Sequence, residues 1–374
     1  MNLCVAGLWH LGCVTAACMS DLGAYVTGIT DDTNTINNLN NGHAPIFEPG
    51  LDDLIQKNLS EGKLKFSDDV KNSVVNSDYI WVCYDTPVDE NDNADEKFVL
   101  DKIFELVNFM NDRQGLLISS QLPAGTAKKI ESYIASLNKK IPVCYSPENL
   151  RLGNAIEIFK HPDRIIAGTR TKDDREFFAR LLNLIPSEVI WMRTESAEMA
   201  KHAINAFLAT SVAFINELSQ ICEDEGADAR EVSKALKSES RIGPKAYLSP
   251  GGAFAGGTLA RDLRYILKKA DASNFAAEFF NGVIKSNDRH KNWVYAHTKN
   301  VLGEISNKKI FVLGLTYKTG TDTLRRSQSL ETIFKFHDSG ANVKAYDANV
   351  KTIPDDIANI MQIFNSTRKR YYRV

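Results

Sequence analysis

Short apolar runs alternate with amphipathic stretches through the first half of the chain. Residues 3–6 and 25–29 are strand-like and are separated by a glycine-bearing turn and a helical stretch, which predicts a strand-helix-strand unit. Later strand-like runs also follow helical stretches, at residues 79–83, 116–119, 143–145, 164–167 and 188–191. This alternation is typical of the α/β class and predicts a doubly wound parallel sheet.

The pattern changes to an almost purely helical one after residue 195. Residues 197–225 carry apolar positions at helical spacing without Gly or Pro, which predicts one long central helix that is suited to a dimer interface. Strand-like runs return at residues 309–314 and 342–346. We therefore predict three domains, at residues 1–195, 196–298 and 299–374. The last has too few residues for a complete doubly wound domain, so an abbreviated domain or a truncated chain is expected.

The bulk composition favours a small-molecule partner. The 374 residues are 43% hydrophobic and carry a formal net charge of −2, which gives no general attraction to nucleic acid or to an anionic membrane. The six cysteines form no CxxC pair and show no metal-ligand spacing, so reduced thiols and no bound metal are expected. Without a signal peptide or a membrane-length apolar run, a cytoplasmic location is predicted.

A glycine-spaced turn follows the first predicted strand. Gly7 and Gly12 occupy the outer positions of a dinucleotide-binding turn, but Trp9 stands at the middle one, where backbone normally approaches a diphosphate. Asp31 and Asp32 follow the second predicted strand and are candidates to bind a ribose. Two interpretations stay open: a dinucleotide lies differently in this turn, or the unit persists for folding and binds none.

Four longer segments carry a family resemblance. They are NGHAPIFEPGL at 41–51, SSQLPAGT at 119–126, SPENLRLGNA at 146–155 and GGAFAGGTLARDL at 251–263. Together they resemble the UDP-glucose/GDP-mannose dehydrogenase family over nearly the whole chain. The resemblance implies a Rossmann-type NAD domain, a central dimerisation region and a second Rossmann-like domain that binds a UDP-sugar. It also implies a cytoplasmic homodimer that oxidises a sugar C6 alcohol twice with NAD.

The resemblance assigns roles to particular positions. Lys201 and Asn205 lie four residues apart and would stabilise the oxyanion at C6, with Asp262 as base or water orienter and Glu148 nearby. Glu148 capping or pairing locally and Lys201 solvated on an exposed face are the competing interpretations. Further implied contacts are to the cofactor, by Gly7, Gly12, Asp31, Thr86 and Pro87, and to the substrate, by Arg241 from a neighbouring subunit, Arg261, Lys318 and Arg325.

The chain departs from the family pattern at chemically important positions. Thr258 stands where the family has its nucleophilic cysteine, and a hydroxyl does not ionise near neutral pH as a thiol does. Gln121 replaces a threonine that holds a water, and Leu152 replaces a second glutamate. The dinucleotide region departs as well, at Trp9 and at Thr30, where the family has an acidic residue.

Three hypotheses follow from these retained and lost residues. The first is an NAD-dependent nucleotide-sugar 6-dehydrogenase that stops at the aldehyde or completes the acid by another group, in which Thr258 occupies the catalytic position. The second is a catalytically inactive nucleotide-sugar-binding homologue with a regulatory or structural role. The third is a decayed product with a shortened last domain. The identity of the sugar and the choice between NAD and NADP stay open.

Overall fold

The computed structural model describes residues 1–87, 95–148, 150–255, 258–317, 324, 326–350, 357 and 362–363. Contacts between residues divide the chain into two compact units, Met1–Lys201 and His202–Val374. Among the described residues, no helix is both long enough and apolar enough to span a membrane.

The first unit is built on an eight-stranded sheet. Its strands, in chain order, are β1 (Asn2–Ala6), β2 (Tyr25–Ile29), β3 (Leu64–Ser67), β4 (Tyr79–Val82), β5 (Gly115–Ile118), β6 (Val143–Tyr145), β7 (Ile165–Thr169) and β8 (Val189–Arg193). They are arranged in the order β3-β2-β1-β4-β5-β6-β7-β8. The order reverses at β1, and ligands of open α/β sheets bind outside the carboxyl ends of the strands at such a point.

Eight helices of the first unit connect these strands. They are α1 (His10–Asp21), α2 (Thr33–Asn40), α3 (Leu51–Ser60), α4 (Val70–Val75), α5 (Glu96–Phe109), α6 (Thr126–Ser136), α7 (Ala155–Lys160) and α8 (Lys172–Leu182). Helix α1 is largely apolar, and ten of its twelve residues are buried. Its side chains join those of β1, β2 and β4 in the main hydrophobic core.

The predicted α/β sheet is confirmed, with one exception in strand direction. Each adjacent pair is parallel except β6 and β7, which pair antiparallel through Tyr145 and Gly168. The helix between these strands, α7, has six residues and is only about 9 Å long. The sequence prediction also missed β3, a four-residue strand between two helices.

The second unit begins within the long central helix α9 (Thr194–Asp224), whose 31 residues match the predicted long helix. Four more helices follow it: α10 (Ala229–Ser238), α11 (Thr258–Ala272), α12 (Glu278–His290) and α13 (Trp293–Leu302). The remaining described elements are β9 (Lys309–Leu313), α14 (Gln328–Asp338), β10 (Asn342–Tyr346) and β11 (Gln362–Ile363). The three strands pair in parallel, in the order β11-β10-β9. The last described part of the chain therefore forms a second, smaller parallel α/β sheet, as predicted.

Candidate active site

The turn after β1 requires both of its outer glycines. Gly7 has a φ of +94°, and a Cβ added there would lie 2.7 Å from the backbone nitrogen of Tyr84. A Cβ added at Gly12 would lie 1.7 Å from the carbonyl oxygen of Gly7. Glycine at residue 7 allows the tight bend, and glycine at residue 12 lets α1 pack closely against the turn. Both predicted glycine positions therefore have a physical requirement for glycine.

Trp9 forms the residue before α1 and keeps its indole at the surface. It is 50% exposed, its backbone is extended, and its side chain makes no capping hydrogen bond. The first N–H groups of α1 therefore have no side-chain cap at this residue, which is the condition in which a helix N-terminus binds phosphate. Binding of a dinucleotide diphosphate by this turn stays a prediction, and the half-exposed indole of Trp9 occupies its middle position.

The aspartates after β2 already have protein partners. Asp31 accepts from the ammonium of Lys102 at 2.6 Å, and this hydrogen bond lowers the pKa of the Asp31 carboxyl. Asp32 caps α2, accepting from the backbone N–H of Asn34 at 3.0 Å and the hydroxyl of Thr35 at 2.6 Å. Asp32 therefore serves as the N-cap of α2. Asp31 remains the better candidate for a ribose contact, since its side chain is 66% exposed.

The Thr86-Pro87 turn joins the carboxyl ends of two central strands. Thr86 follows β4 and donates its hydroxyl to the carbonyl oxygen of Gln121, which follows β5, at 2.7 Å. The turn is therefore held at the same sheet edge as Gly7. The cofactor-edge role that the resemblance implies for Thr86 and Pro87 stays a prediction, and the backbone oxygen of Gln121 helps to hold the turn.

Glu48 is a buried carboxylate that links two of the segments carrying the resemblance. Its side chain is 1% exposed and accepts from the backbone N–H groups of Gly153 and Ala155, each at 2.8 Å. It also contacts Nε2 of His10, the first residue of α1, at 2.8 Å. The carboxylate therefore joins the dinucleotide turn to the end of the 146–155 segment, a connection that sequence reasoning did not identify.

Glu148 and Lys201 meet within the first unit. The Lys201 ammonium donates to the backbone oxygen of Glu148 at 2.5 Å and lies 3.4 Å from its Oε1. Its side chain is only 10% exposed, so the solvated alternative for Lys201 is wrong. Glu148 also accepts from the N–H of Leu150 at 2.6 Å, so it makes the local contact that its competing interpretation predicted as well.

Asp262 lies at the centre of a buried polar cluster in the second unit. It is 1% exposed and accepts from the side-chain amide of Asn205 on α9. Its other oxygen lies 2.8 Å from Nδ1 of His202, which is 4% exposed and stacks on Tyr265 with ring centroids 4.0 Å apart. The pairing of Asn205 with Asp262 brings together two of the predicted catalytic residues. Sequence reasoning missed His202, although it lies directly beside Lys201 and three residues before Asn205 on the same helix.

Thr258 is the first residue of α11 and is exposed. It precedes Asp262 by four residues, about one helical turn, and Arg261 is half-buried beside Asp262. A helix N-terminus lowers the pKa of a thiol placed there, and a threonine hydroxyl gains no useful ionisation from it. The two glycines before Thr258, residues 256–257, lie outside the described part of the chain.

Buried side chains hold the first half of the glycine-dense loop. Asn216 on α9 accepts from the N–H of Gly251 at 3.0 Å and donates to the carbonyl of Gly252 at 3.1 Å. Asn287 on α12 makes the same paired contacts with the backbone of Phe254, at 2.8 and 2.9 Å. Sequence reasoning missed both asparagines. Each supplies one donor and one acceptor to a stretch of backbone that has no helix or strand partner.

Of the remaining predicted substrate contacts, only Arg241 lies within the described residues. Arg241 has a side chain 87% exposed and lies 3.0 Å from the carboxylate of Glu239. Lys318 and Arg325 lie outside the described residues. The untested assignments of these three residues therefore stay predictions.

No cysteine substitutes for the missing nucleophile. All six cysteines are buried and unpaired. Burial raises the pKa of the Cys4 and Cys18 thiols to about 12 and raises the pKa of the Cys13, Cys83 and Cys144 thiols still further. These five side chains therefore remain thiols at neutral pH, whereas nucleophilic attack requires a thiolate. The sixth, Cys222, is 6% exposed on α9.

Three family models match successive parts of the chain. The NAD binding domain of the UDP-glucose/GDP-mannose dehydrogenase family matches residues 1–185. The central domain of the same family matches residues 195–289, and its UDP binding domain matches residues 311–370. The matches follow one another in the order in which the fold presents these parts.

Curated relatives and solved structures agree with the models. UDP-glucose 6-dehydrogenase TuaD of Bacillus subtilis is 32% identical, covering 92% of this chain and 76% of the relative. A UDP-glucose 6-dehydrogenase of Rhizobium meliloti is 33% identical, covering 93% and 81%.

Two solved structures have the same fold. A UDP-glucose dehydrogenase of Pyrobaculum islandicum superposes with a TM-score of 0.88 at 25% identity, covering 97% of this chain and 85% of that one. A GDP-mannose dehydrogenase of Pseudomonas aeruginosa gives 0.62 at 26% identity, covering 93% and 81%. Matches to all three family domains, with relatives above 30% identity over most of their length, establish that this chain belongs to the UDP-glucose/GDP-mannose dehydrogenase family.

Proposed function

We propose that the chain oxidises the C6 alcohol of a nucleotide sugar to the aldehyde with NAD as oxidant. The observation that carries this proposal is the buried Asp262 carboxylate bound to Asn205, together with the nearly buried Lys201 ammonium at Glu148. These are the groups that alcohol oxidation needs, since a proton must leave the hydroxyl and a developing alkoxide must be stabilised.

Each retained side chain has a role in this reaction. The Lys201 ammonium and the Asn205 amide would donate to the C6 oxygen as it loses its proton, and Asp262 would accept that proton. Bound NAD would accept the hydride from C6, so that one alcohol and one NAD+ give one aldehyde, one NADH and one proton. Glu148 holds the Lys201 ammonium through its backbone oxygen and so fixes the donor.

The residues available to hold NAD surround the carboxyl ends of β1 and β4. The N-terminus of α1, with Gly7 and Gly12, would receive the diphosphate, and Thr86 with Pro87 would border the cofactor. Asp31 would reach a ribose hydroxyl, which requires it to share its carboxylate with Lys102. Gly7 and Gly12 support this assignment because they allow the tight bend and the close packing of α1 that a dinucleotide-binding turn needs, whereas Trp9 occupies the position of closest approach to the diphosphate.

The aldehyde is proposed as the product because thioester chemistry lacks its thiol. In the second oxidation that the resemblance implies, a thiolate adds to the aldehyde, and the adduct is oxidised and then hydrolysed. Thr258 has no ionisable thiol, and burial keeps five of the six cysteines protonated. Oxidation of the alcohol needs a base and donors but no thiol, so the first step can proceed alone.

The match to the UDP binding domain supports a nucleotide-sugar substrate. We propose that Lys318 and Arg325 contact its diphosphate, with Arg261 near the sugar and Arg241 supplied by a second subunit. Lysine and arginine suit a diphosphate because charge-assisted hydrogen bonds are stronger than neutral ones. The predicted domains at 1–195, 196–298 and 299–374 are part of this proposal and are supported by the three successive family matches.

A homodimer built on α9 is also proposed. Phe207, Phe214 and Ile221 recur every seven residues on this helix and are 71%, 51% and 56% exposed. Seven residues are nearly two helical turns, so the three side chains form one apolar stripe. We further propose that the protein works in the cytoplasm, which the six unpaired thiols support.

The test is NADH formation by the purified protein with NAD+ and a panel of UDP- and GDP-sugars. Absorbance measures NADH, and mass spectrometry of the same reaction measures the sugar product. One NADH per sugar and a product lighter by two hydrogens are expected. Two NADH per sugar with a carboxylate product would contradict the aldehyde assignment.

A catalytically inactive binding homologue is the second candidate. Trp9 at the dinucleotide turn and Thr258 at the nucleophile position favour it. It predicts that a UDP-sugar raises the melting temperature while no tested sugar yields NADH. Tight NAD+ binding, measured by calorimetry, would count against this candidate.

A further inference from the structure

The His202 side chain has an unusual hydrogen-bonding state for a buried group. Its Nδ1 atom lies 2.8 Å from Oδ1 of Asp262, while its Nε2 atom is buried without a hydrogen-bond partner among the described residues. The ring is fixed on its face by Tyr265, at an interplanar angle of 24°. The imidazole is therefore held by its contact with Asp262 and by stacking on Tyr265, and of its two nitrogens only Nδ1 makes a hydrogen bond among the described residues.

This geometry selects one tautomer of His202. A carboxylate that is to accept the C6 hydroxyl proton has none to donate, so in the proposed reaction the contact with Asp262 needs the hydrogen on Nδ1. In a neutral ring, Nε2 then carries a lone pair. The alternative tautomer would bury an N–H at Nε2 without an acceptor, and an unmade donor in the interior is costly. The Nδ1–H tautomer satisfies the structure better.

The same contact restricts Asp262. His202 binds Oδ1 and Asn205 binds Oδ2, so two donors, both on α9, fix the carboxylate against rotation. Both α9 residues are themselves buried, which limits the alternative rotamers of the group. An acid or base that must receive a proton at one defined position benefits from such rigid support.

We propose that His202 is a positioning residue for the oxidation, which donates from Nδ1 to hold Asp262 in the orientation that accepts the C6 hydroxyl proton. This inference rests on the proposed function and adds a residue to it. His202 itself exchanges no proton in the step. The hydroxyl O–H bond breaks, its proton moves to Asp262, and the hydride leaves C6 for NAD+, which is reduced to NADH.

Two substitutions of His202 distinguish the effect of its Nδ1–H donor from the effect of its aromatic ring. His202→Phe keeps a ring to stack on Tyr265 and removes the donor. His202→Asn removes the ring and places an amide nitrogen near the former position of Nδ1. For H202F we expect kcat to fall about 100-fold with little change in KM for the sugar, because a misplaced base slows the chemical step without weakening binding. For H202N we expect kcat to stay within about threefold of the original value, since the donor remains.

The opposite ranking would overturn the inference. If H202F keeps the original kcat, or if H202N loses as much activity as H202F, donation to Asp262 does not support the reaction. A structural role for the ring alone would instead make H202N the more impaired variant. Melting temperatures of both variants establish that the compared samples are folded.

Nitrogen NMR of the unaltered protein tests the geometry without any activity. With 15N-labelled histidine, one of the seven histidines should show a protonated Nδ1 and a bare Nε2 at neutral pH, and this signal should disappear in whichever His202 variant folds. A signal with the proton on Nε2 overturns the inference. If the unaltered protein forms no NADH with any nucleotide sugar, the proposed function fails instead, and the NMR result still decides how His202 meets Asp262.

Discussion

At the scale of single residues, the exchange of one sulfur for one oxygen decides how far the chemistry can proceed. Thr258 retains the position at the start of α11, where the partial positive charge of the helix favours an anion. A thiol can use that field because it ionises near neutral pH, and a hydroxyl cannot. The position is therefore organised for a nucleophile that the residue does not supply.

Restoring the thiol should extend the reaction. Thr258→Cys is expected to raise the yield from one to about two NADH per sugar and to give a carboxylate product, because the thiolate can trap the aldehyde. Thr258→Ser is the matched control, which keeps a hydroxyl and should give one NADH. NADH stoichiometry with product mass checks both. Acid formation by T258S equal to that of T258C would refute the role given to sulfur.

At the scale of elements, α1 is held to two other helices by one carboxylate at its end. Asp21, the last residue of α1, lies 2.6 Å from Lys57 on α3 and 2.6 Å from Lys160 on α7. These hydrogen bonds, that from Lys160 first, lower the pKa of Asp21 below its ordinary 3.8. An acidic residue at a helix C-terminus opposes the helix dipole, and the two ammonium groups offset that cost.

The pH dependence of this contact follows from the direction of the shift. Because the pKa is lower in the folded chain, the stabilisation is complete above pH 3.8 and is lost as the pH falls through the lower value. Asp21→Asn should therefore destabilise the protein at pH 7 by about 1 kcal/mol, less at high salt, with the difference shrinking below pH 3.8. Urea unfolding at several pH values measures this.

Asp68→Asn is the control for that experiment. Asp68 is exposed and has no ion pair in the described residues, so its substitution should change stability little at any pH. A difference for D21N that persists unchanged at pH 3, or one no larger than that of D68N, would show that the pairs with Lys57 and Lys160 do not stabilise the fold.

Element identity was largely predictable, and element direction was not. The strand-like runs from residue 3 to residue 191 correspond to seven of the eight strands in the first sheet, because a buried strand needs a local run of apolar residues. The missed β3 has four residues and pairs only with β2. The antiparallel pairing of β7 with β6 depends on the path of the connection through space.

At the scale of the whole molecule, the exposed apolar stripe of Phe207, Phe214 and Ile221 on α9 is the candidate surface for assembly. If α9 carries the dimer interface, Phe214→Glu places a charge within the apolar stripe and should convert a dimer to a monomer, because burying an unpaired carboxylate is strongly unfavourable. Light scattering after size exclusion measures the mass. Phe275→Glu is the control, since Phe275 is 64% exposed but lies off α9. A dimeric F214E protein would place the interface elsewhere.

The amino-acid sequence was enough to indicate the family, the α/β class and the long central helix, and it supplied most of the candidate catalytic positions that stay predictions. These depend on local periodicity and on contiguous motifs, which a linear chain displays directly. The partners of the buried polar groups, in contrast, become known from the three-dimensional fold. His202 meets Asp262 across 60 residues, and Glu48 meets Ala155 across 107. No local pattern specifies such pairs, because packing brings the groups together and burial makes each one require a partner.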